Sequence, residues 1–293
     1  MKWDDNGPSQ DLEDRRGESS GRGGGFRLGA GRVGIGGFLV LLVLSVVFKT
    51  DLTGALGGGD AAPQPQPAPA AGRAIPPSQT SPQEQELVNF VSFVLDDAQN
   101  NWAKVFADGN ARYTRARLVL FRDQVSTGCG AAQAASGPFY CPADQKVYID
   151  LGFYDELRRR FGAPGDFAQA YVLAHEIGHH IQNLLGTERK MRQLQQSNPG
   201  ARNDLSVRLE LQADCYAGIW GKHAQAEKRL DDGDIDEALR AASAVGDDRI
   251  SEMTGSAIRP ESFTHGSAAQ RTTWFRRGYD SGRIEACDTF SGT

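Results

Sequence analysis

Residues 57–82 read GGGDAAPQPQPAPAAGRAIPPSQTSP, and a stretch of that composition cannot pack a core. Proline removes backbone donors and the small residues bury little area, so the stretch is expected to be an extended, semi-rigid spacer. It leaves the region from Ser81 onward as the part of the 293-residue chain able to fold. Before it stands VGIGGFLVLLVLSVVF, residues 33–48, with no charge inside and with Arg32 and Lys49 at its ends. A spanning helix needs ~20 apolar residues, and snorkelling of the two flanking cations brings this shorter run within reach. A cleaved signal peptide would need a short leader and a small-residue cleavage site behind the run. Here the leader is long, and Lys49, Asp51 and Leu52 follow. A buried core helix fits poorly, because the run is apolar on every side.

The expected organisation is therefore a disordered cytoplasmic tail over 1–31, a transmembrane anchor over 32–49, a linker over 50–80 and a folded domain over 81–293. Arg15, Arg16, Arg22, Arg27 and Arg32 precede the run and few cations follow it closely. By the positive-inside rule the tail stays in the cytoplasm, and the domain lies outside the cell membrane. The net charge of −5 is mild, and no basic stripe or zinc-finger spacing points to nucleic acid.

Within the domain, Ser81, Pro82 and Glu84 form a helix-start signal. Leu87, Phe90, Val91, Val94, Leu95, Trp102, Val105 and Phe106 then recur at helical spacing until Gly109. RLVLF (117–121) and KVYIDL (146–151) read as strands. Asp166 is placed to cap a helix running to Leu185, with Gly186 as its stop. A further helix covers roughly Leu205 to Ala226. Asp234 with Glu237, and Ser267 with Gln270, mark two more helix starts. The balance is helix-rich with a small sheet, an α+β domain.

The segment AHEIGHHI, 174–181, carries chemistry. His175 and His179 are four apart on a helix, so both imidazoles share one face and can grip one zinc ion. Glu176 stands beside the first ligand, where a carboxylate can take a proton from water as that water attacks a peptide carbonyl. Leu185 stands where an extended HExxHxxGxxH pattern would need its third histidine, so the metzincin arrangement is excluded. The following helix carries ELQADCYAG, 210–218, with Glu210 and Asp214 again on one face. Glu210 is expected to complete a His/His/Glu site, and Asp214 to hold the outer nitrogen of a ligand histidine. An exchange of these two roles is the alternative. Ala213, Ala217 and Gly218 would let the two helices approach closely.

His180 points about 100° from His179 and reads as structural. His223 reads as exposed. His265 lies in a loop before a capped helix, where it either hydrogen-bonds a developing oxyanion or simply holds the loop. Arg271 could take either task instead. KVYIDL is a candidate cleft-lining edge strand, with Tyr148 or Asp150 near the cleft. Cys129, Cys141, Cys215 and Cys287 fit two disulfides. Cys129 with Cys141 would close a Gly/Ala/Ser-rich loop, leaving Cys215 with Cys287. An oxidising exterior favours bridges over four free thiols.

MKWDD, EDRRG, GPFYCPADQKVYIDLGFY, HEIGHHIQ, ELQADCYAGIW, FTHGSAAQR…WF and CDTF together resemble the bacterial neutral zinc metallopeptidases, a zincin family of single-pass membrane proteins. The resemblance covers nearly the whole chain. It implies a thermolysin-like core with one zinc ion on His175, His179 and Glu210, Glu176 as base, and a peptide or protein substrate. A zinc-binding scaffold or chaperone-like protein is the rival, but a scaffold has no need of Glu176.

Overall fold

The computed structural model describes residues 1–18, 80–134, 137–161 and 165–291. The expected anchor and nearly all of the linker lie outside the described residues. Among those described, no helix is long and apolar enough to cross a membrane.

Helix α1, Pro82–Asp108, begins where Ser81 Oγ accepts the Glu84 amide, and Gly109 ends it. Its apolar face buries Phe90, Val91, Val94, Leu95 and Trp102. Four strands make the main sheet, in the order β1 (Leu12–Asp14), β2 (Arg117–Phe121), β6 (Lys146–Asp150), β5 (Phe139–Cys141). The first three are parallel and β5 runs antiparallel to β6. A separate hairpin pairs β3 (Gln124–Thr127) with β4 (Gly130–Gln133).

Helix α2 (Gly152–Phe161) leads to α3 (Asp166–Leu185), and α4 (Thr187–Ser197) to α5 (Arg202–Ala226). The chain then forms α6 (Asp234–Ala244), α7 (Asp247–Thr254) and α8 (Ala268–Ser281). Helices α3, α5, α6 and α8 pack together, and α1 joins the core formed with the sheet. Gly186, in a left-handed conformation that favours glycine, stops α3 as expected. The capping box of Ser267 and Gln270 at α8 is complete. Asp166 and Asp234 are the first helical residues rather than caps, with Gly165 and Gly233 in the cap positions.

Both expected disulfides form, Cys129–Cys141 and Cys215–Cys287. The first ties the hairpin turn to β5, and the second ties α5 to the C-terminal segment.

Three further expectations need correction. Residues 1–18 are not a disordered tail: they lie along the domain and supply β1, with Trp3 packed edge-on to Phe90 at 5.5 Å. A three-residue strand, Leu-Glu-Asp, carries no apolar alternation, so the sequence hides it. KVYIDL is not an edge strand, because β2 and β5 flank it. Consequently Tyr148 is buried and donates to Asp144 at 2.7 Å, and Asp150 accepts the amides of Asp123 and Gly152. His223 is half-buried, with Nε2 3.8 Å from Asp97.

Candidate metal centre

Alanine, valine, leucine and isoleucine bury α3 on nearly all sides around the HEIGHH segment. Gly178 is a point of close approach to α5: a Cβ built there would lie 2.9 Å from the carbonyl of Ala213. No larger residue fits without moving one helix. This contact sets the histidines of α3 against the acids of α5. A second close contact joins α5 to α8, where a Cβ at Gly278 would lie 1.9 Å from the Cys215 carbonyl. It brings Arg271 to Asp214.

His175, His179 and Glu210 converge. His175 Nε2 lies 3.2 Å from Glu210 Oε2, and His179 Nε2 lies 3.6 Å from Oε1. Ligands about 2.0–2.1 Å from a tetrahedral zinc stand roughly 3.3 Å apart, so the three donors fit a zinc ion. The outer nitrogens are committed elsewhere. His175 Nδ1–H donates to Asp214 Oδ1 at 2.8 Å, and His179 Nδ1–H donates to Gln182 Oε1 at 2.9 Å. Each ring therefore presents Nε2 inward in one tautomer, as metal ligands require.

The supporting groups are held in turn. Asp214 is fully buried, and Arg271 donates to it twice, at 2.8 and 2.9 Å. The Tyr171 hydroxyl donates to the same carboxylate. The amide of Gln182 donates to the Leu209 carbonyl at 2.6 Å and to Gln212 at 3.1 Å. Gln212 donates onward to the Cys287 carbonyl at 2.9 Å, linking the site to the disulfide of α5.

The electrostatics follow from burial and these partners. Burial alone would depress the His179 imidazolium, but the Glu210 carboxylate outweighs it and lifts the pKa to about 10. His175 is also raised: burial pulls it down, and the charge of Asp214 together with the hydrogen bonds to Asp214 and Glu210 more than compensates. Glu210 is held well below the carboxylate range, because His179 overcomes the penalty of burial. Glu176 is buried, and that burial raises its pKa.

The structure places His265 near this group but outside the ligand set. Its Nδ1 lies 3.2 Å from Asp247 Oδ1, while Asp247 Oδ2 accepts the amides of Thr264, His265 and Gly266 at 2.7, 2.7 and 3.0 Å. Burial disfavours the imidazolium, yet the bond to Asp247 and the charge of Glu210 raise its pKa. Arg271 is committed to Asp214 and to the Val245 carbonyl, so it is not a free oxyanion donor. His180 donates from Nε2 to the Thr114 carbonyl and accepts the Tyr140 hydroxyl at Nδ1, a structural role. Tyr171, Gln182, Gln212 and Asp247 escaped the sequence reading. Gln182 alone had a local signal, one turn after His179. A second group of acids, Asp166, Asp234 and Glu237, faces the Met1 ammonium, 2.7 Å from Asp166.

Residues 1–290 match the family described as "Putative neutral zinc metallopeptidase". The chain belongs to that family. It is 47% identical to the Escherichia coli K12 protein named "Uncharacterized protein YpfJ", over 99% of both chains. It is 50% identical to Mycobacterium tuberculosis "Uncharacterized protein Rv2575" over 190 residues, 61% of this chain and 64% of that one. No solved structure matches it.

Proposed function

We propose that this protein is a zinc-dependent endopeptidase with one zinc ion held by His175, His179 and Glu210. The observation that carries the reading is the convergence of these three donors beside the buried carboxylate of Glu176. Zinc, when bound, polarises a carbonyl and lowers the pKa of water toward ~7. Glu176 takes the proton from the attacking water and passes it to the leaving amine. Burial raises its pKa, which strengthens it as a base. His265, charged and oriented by Asp247, donates to the carbonyl oxygen as negative charge grows there. Asp214, fixed by Arg271, keeps the His175 ring in place. Among the described residues β5 pairs on one side only, so an extended peptide can add along its free edge. The two disulfides support an oxidising compartment for the domain.

The test is Glu176→Gln in the full chain, assayed with casein. The variant should retain stoichiometric zinc and lose at least about 10³-fold in cleavage rate. Cleavage equal to that of the wild type would reject the mechanism, and would leave the zinc-binding scaffold as the better account.

A further inference from the structure

The two described parts of the chain on either side of the apolar run belong to one sheet. β1 pairs with β2 in register, Leu12 with Leu118 and Asp14 with Leu120. The Arg15 amide donates to the Leu120 carbonyl at 2.8 Å, and the Leu118 amide donates to the Asp11 carbonyl at 2.9 Å. Side chains extend the attachment on both flanks. Lys146 of β6 reaches Glu13 at 2.8 Å, and Arg115 binds Asp11 at 2.5 Å. Ser9 donates to Asp96 of α1 at 2.8 Å. Arg16 is buried with its guanidinium between Asp14 and Glu84, both at 2.6 Å.

Hydrogen bonds of 2.8–2.9 Å cannot form across a hydrocarbon layer of about 30 Å. The cation count that set the expected sidedness also changes meaning. Arg16 is spent on a buried ion pair inside the domain, and Arg15 on Glu18 at 2.8 Å. Neither is a free charge holding a tail in the cytoplasm. The body that β1 completes carries both disulfides, which form and persist on the oxidising side of a membrane.

We infer that residues 1–18 share the compartment of the catalytic domain, the disulfide-forming side. An arrangement with residues 1–18 and the domain on opposite faces of a bilayer does not fit that pairing. The inference stands on strand pairing and disulfides, and it holds whether or not the site cleaves peptides.

Asn6→Cys and Gln196→Cys, introduced one at a time into the full chain, test it in spheroplasts of a bacterial host. A membrane-impermeant maleimide should label both positions before permeabilisation, to within about twofold of each other. Labelling of position 6 only after permeabilisation, with position 196 open from the start, would overturn the inference. So would labelling of both only after permeabilisation, which would place the domain on the reducing side. Hydrogen exchange on the unsubstituted full chain guards against mispairing of the added thiols. The Arg15 amide should exchange at least about a hundredfold slower than in a free peptide. Exchange at the free-peptide rate would show β1 undocked and overturn the inference by itself.

Discussion

Arg271→Met removes the only guanidinium that touches Asp214 among the described residues, and its consequence can be worked from the geometry. Arg271 is 4% exposed and Asp214 is 0% exposed, so neither charge can turn to water. The substitution deletes the two charged hydrogen bonds of 2.8 and 2.9 Å and leaves the carboxylate with His175 and Tyr171 alone. Breaking one side of a buried pair costs about 3–5 kcal/mol. For a domain of this size each kcal/mol shifts Tm by about 2–4 °C, so a fall of roughly 10 °C is expected. Asp214→Asn should cost a similar amount by stranding Arg271. The double variant strands neither charge and should be more stable than the sum of the singles by about 2 kcal/mol or more. Chemical denaturation of the four proteins completes the cycle. A shift below 2 °C for Arg271→Met, or additivity within about 0.5 kcal/mol, would refute the claim that this pair is a coupled buried unit.

Two further outcomes are expected. Asp247→Asn removes the bond that helps lift the His265 pKa, so the alkaline limb of kcat/KM should move to lower pH. An alkaline limb unmoved by this change would separate His265 from catalysis. The sign for stability is consistent: in the wild type the pair's contribution from His265 is complete below pH ~6.5 and is lost as pH rises through its raised pKa. Replacing Cys215 and Cys287 together by serine opens a 72-residue loop, worth about 4 kcal/mol in the chain-entropy account, and frees the carbonyl that anchors Gln212. Zinc affinity should fall in that variant but stay within about threefold in the Cys129/Cys141 double serine variant, as read by competition with a chromogenic chelator. Equal losses in both would show that the Gln212 link does not reach the ligands.

The parts legible in the sequence are those whose signals are local. His175 with His179, and Glu210 with Asp214, sit four apart on helices, so one periodicity fixes both faces. The capping box at Ser267 needs only four residues. What failed depends on partners far along the chain. β1 is three residues of mostly polar sequence, and only β2, more than a hundred residues later, makes it a strand. KVYIDL was legible as a strand but not as an interior one. Its three consecutive buried residues, Val147, Tyr148 and Ile149, were the available sign, since a strand covered on both faces shows a run rather than an alternation. Arg271 lies 57 residues from Asp214, and Asp247 lies 18 before His265. Neither pairing follows from spacing.

The charges around α3 and α5 explain why such partners are needed. Two carboxylates, the half-buried Glu210 and the fully buried Asp214, lie within reach of the same histidine. Arg271 answers one of them permanently. The other is answered between the Nε2 atoms of His175 and His179, where the His179 pKa of about 10 records how strongly positive charge is favoured. A dication at that point satisfies Glu210 and leaves both imidazoles neutral, the form in which nitrogen can ligate. Arg271 thus does for Asp214 what a bound dication would do for Glu210. If Asp214 lacked that guanidinium, its charge would compete for the same cation, and His175 would be drawn toward the acid behind it. Keeping the two negative charges answered from opposite sides of the His175 ring is what lets one helix pair hold both.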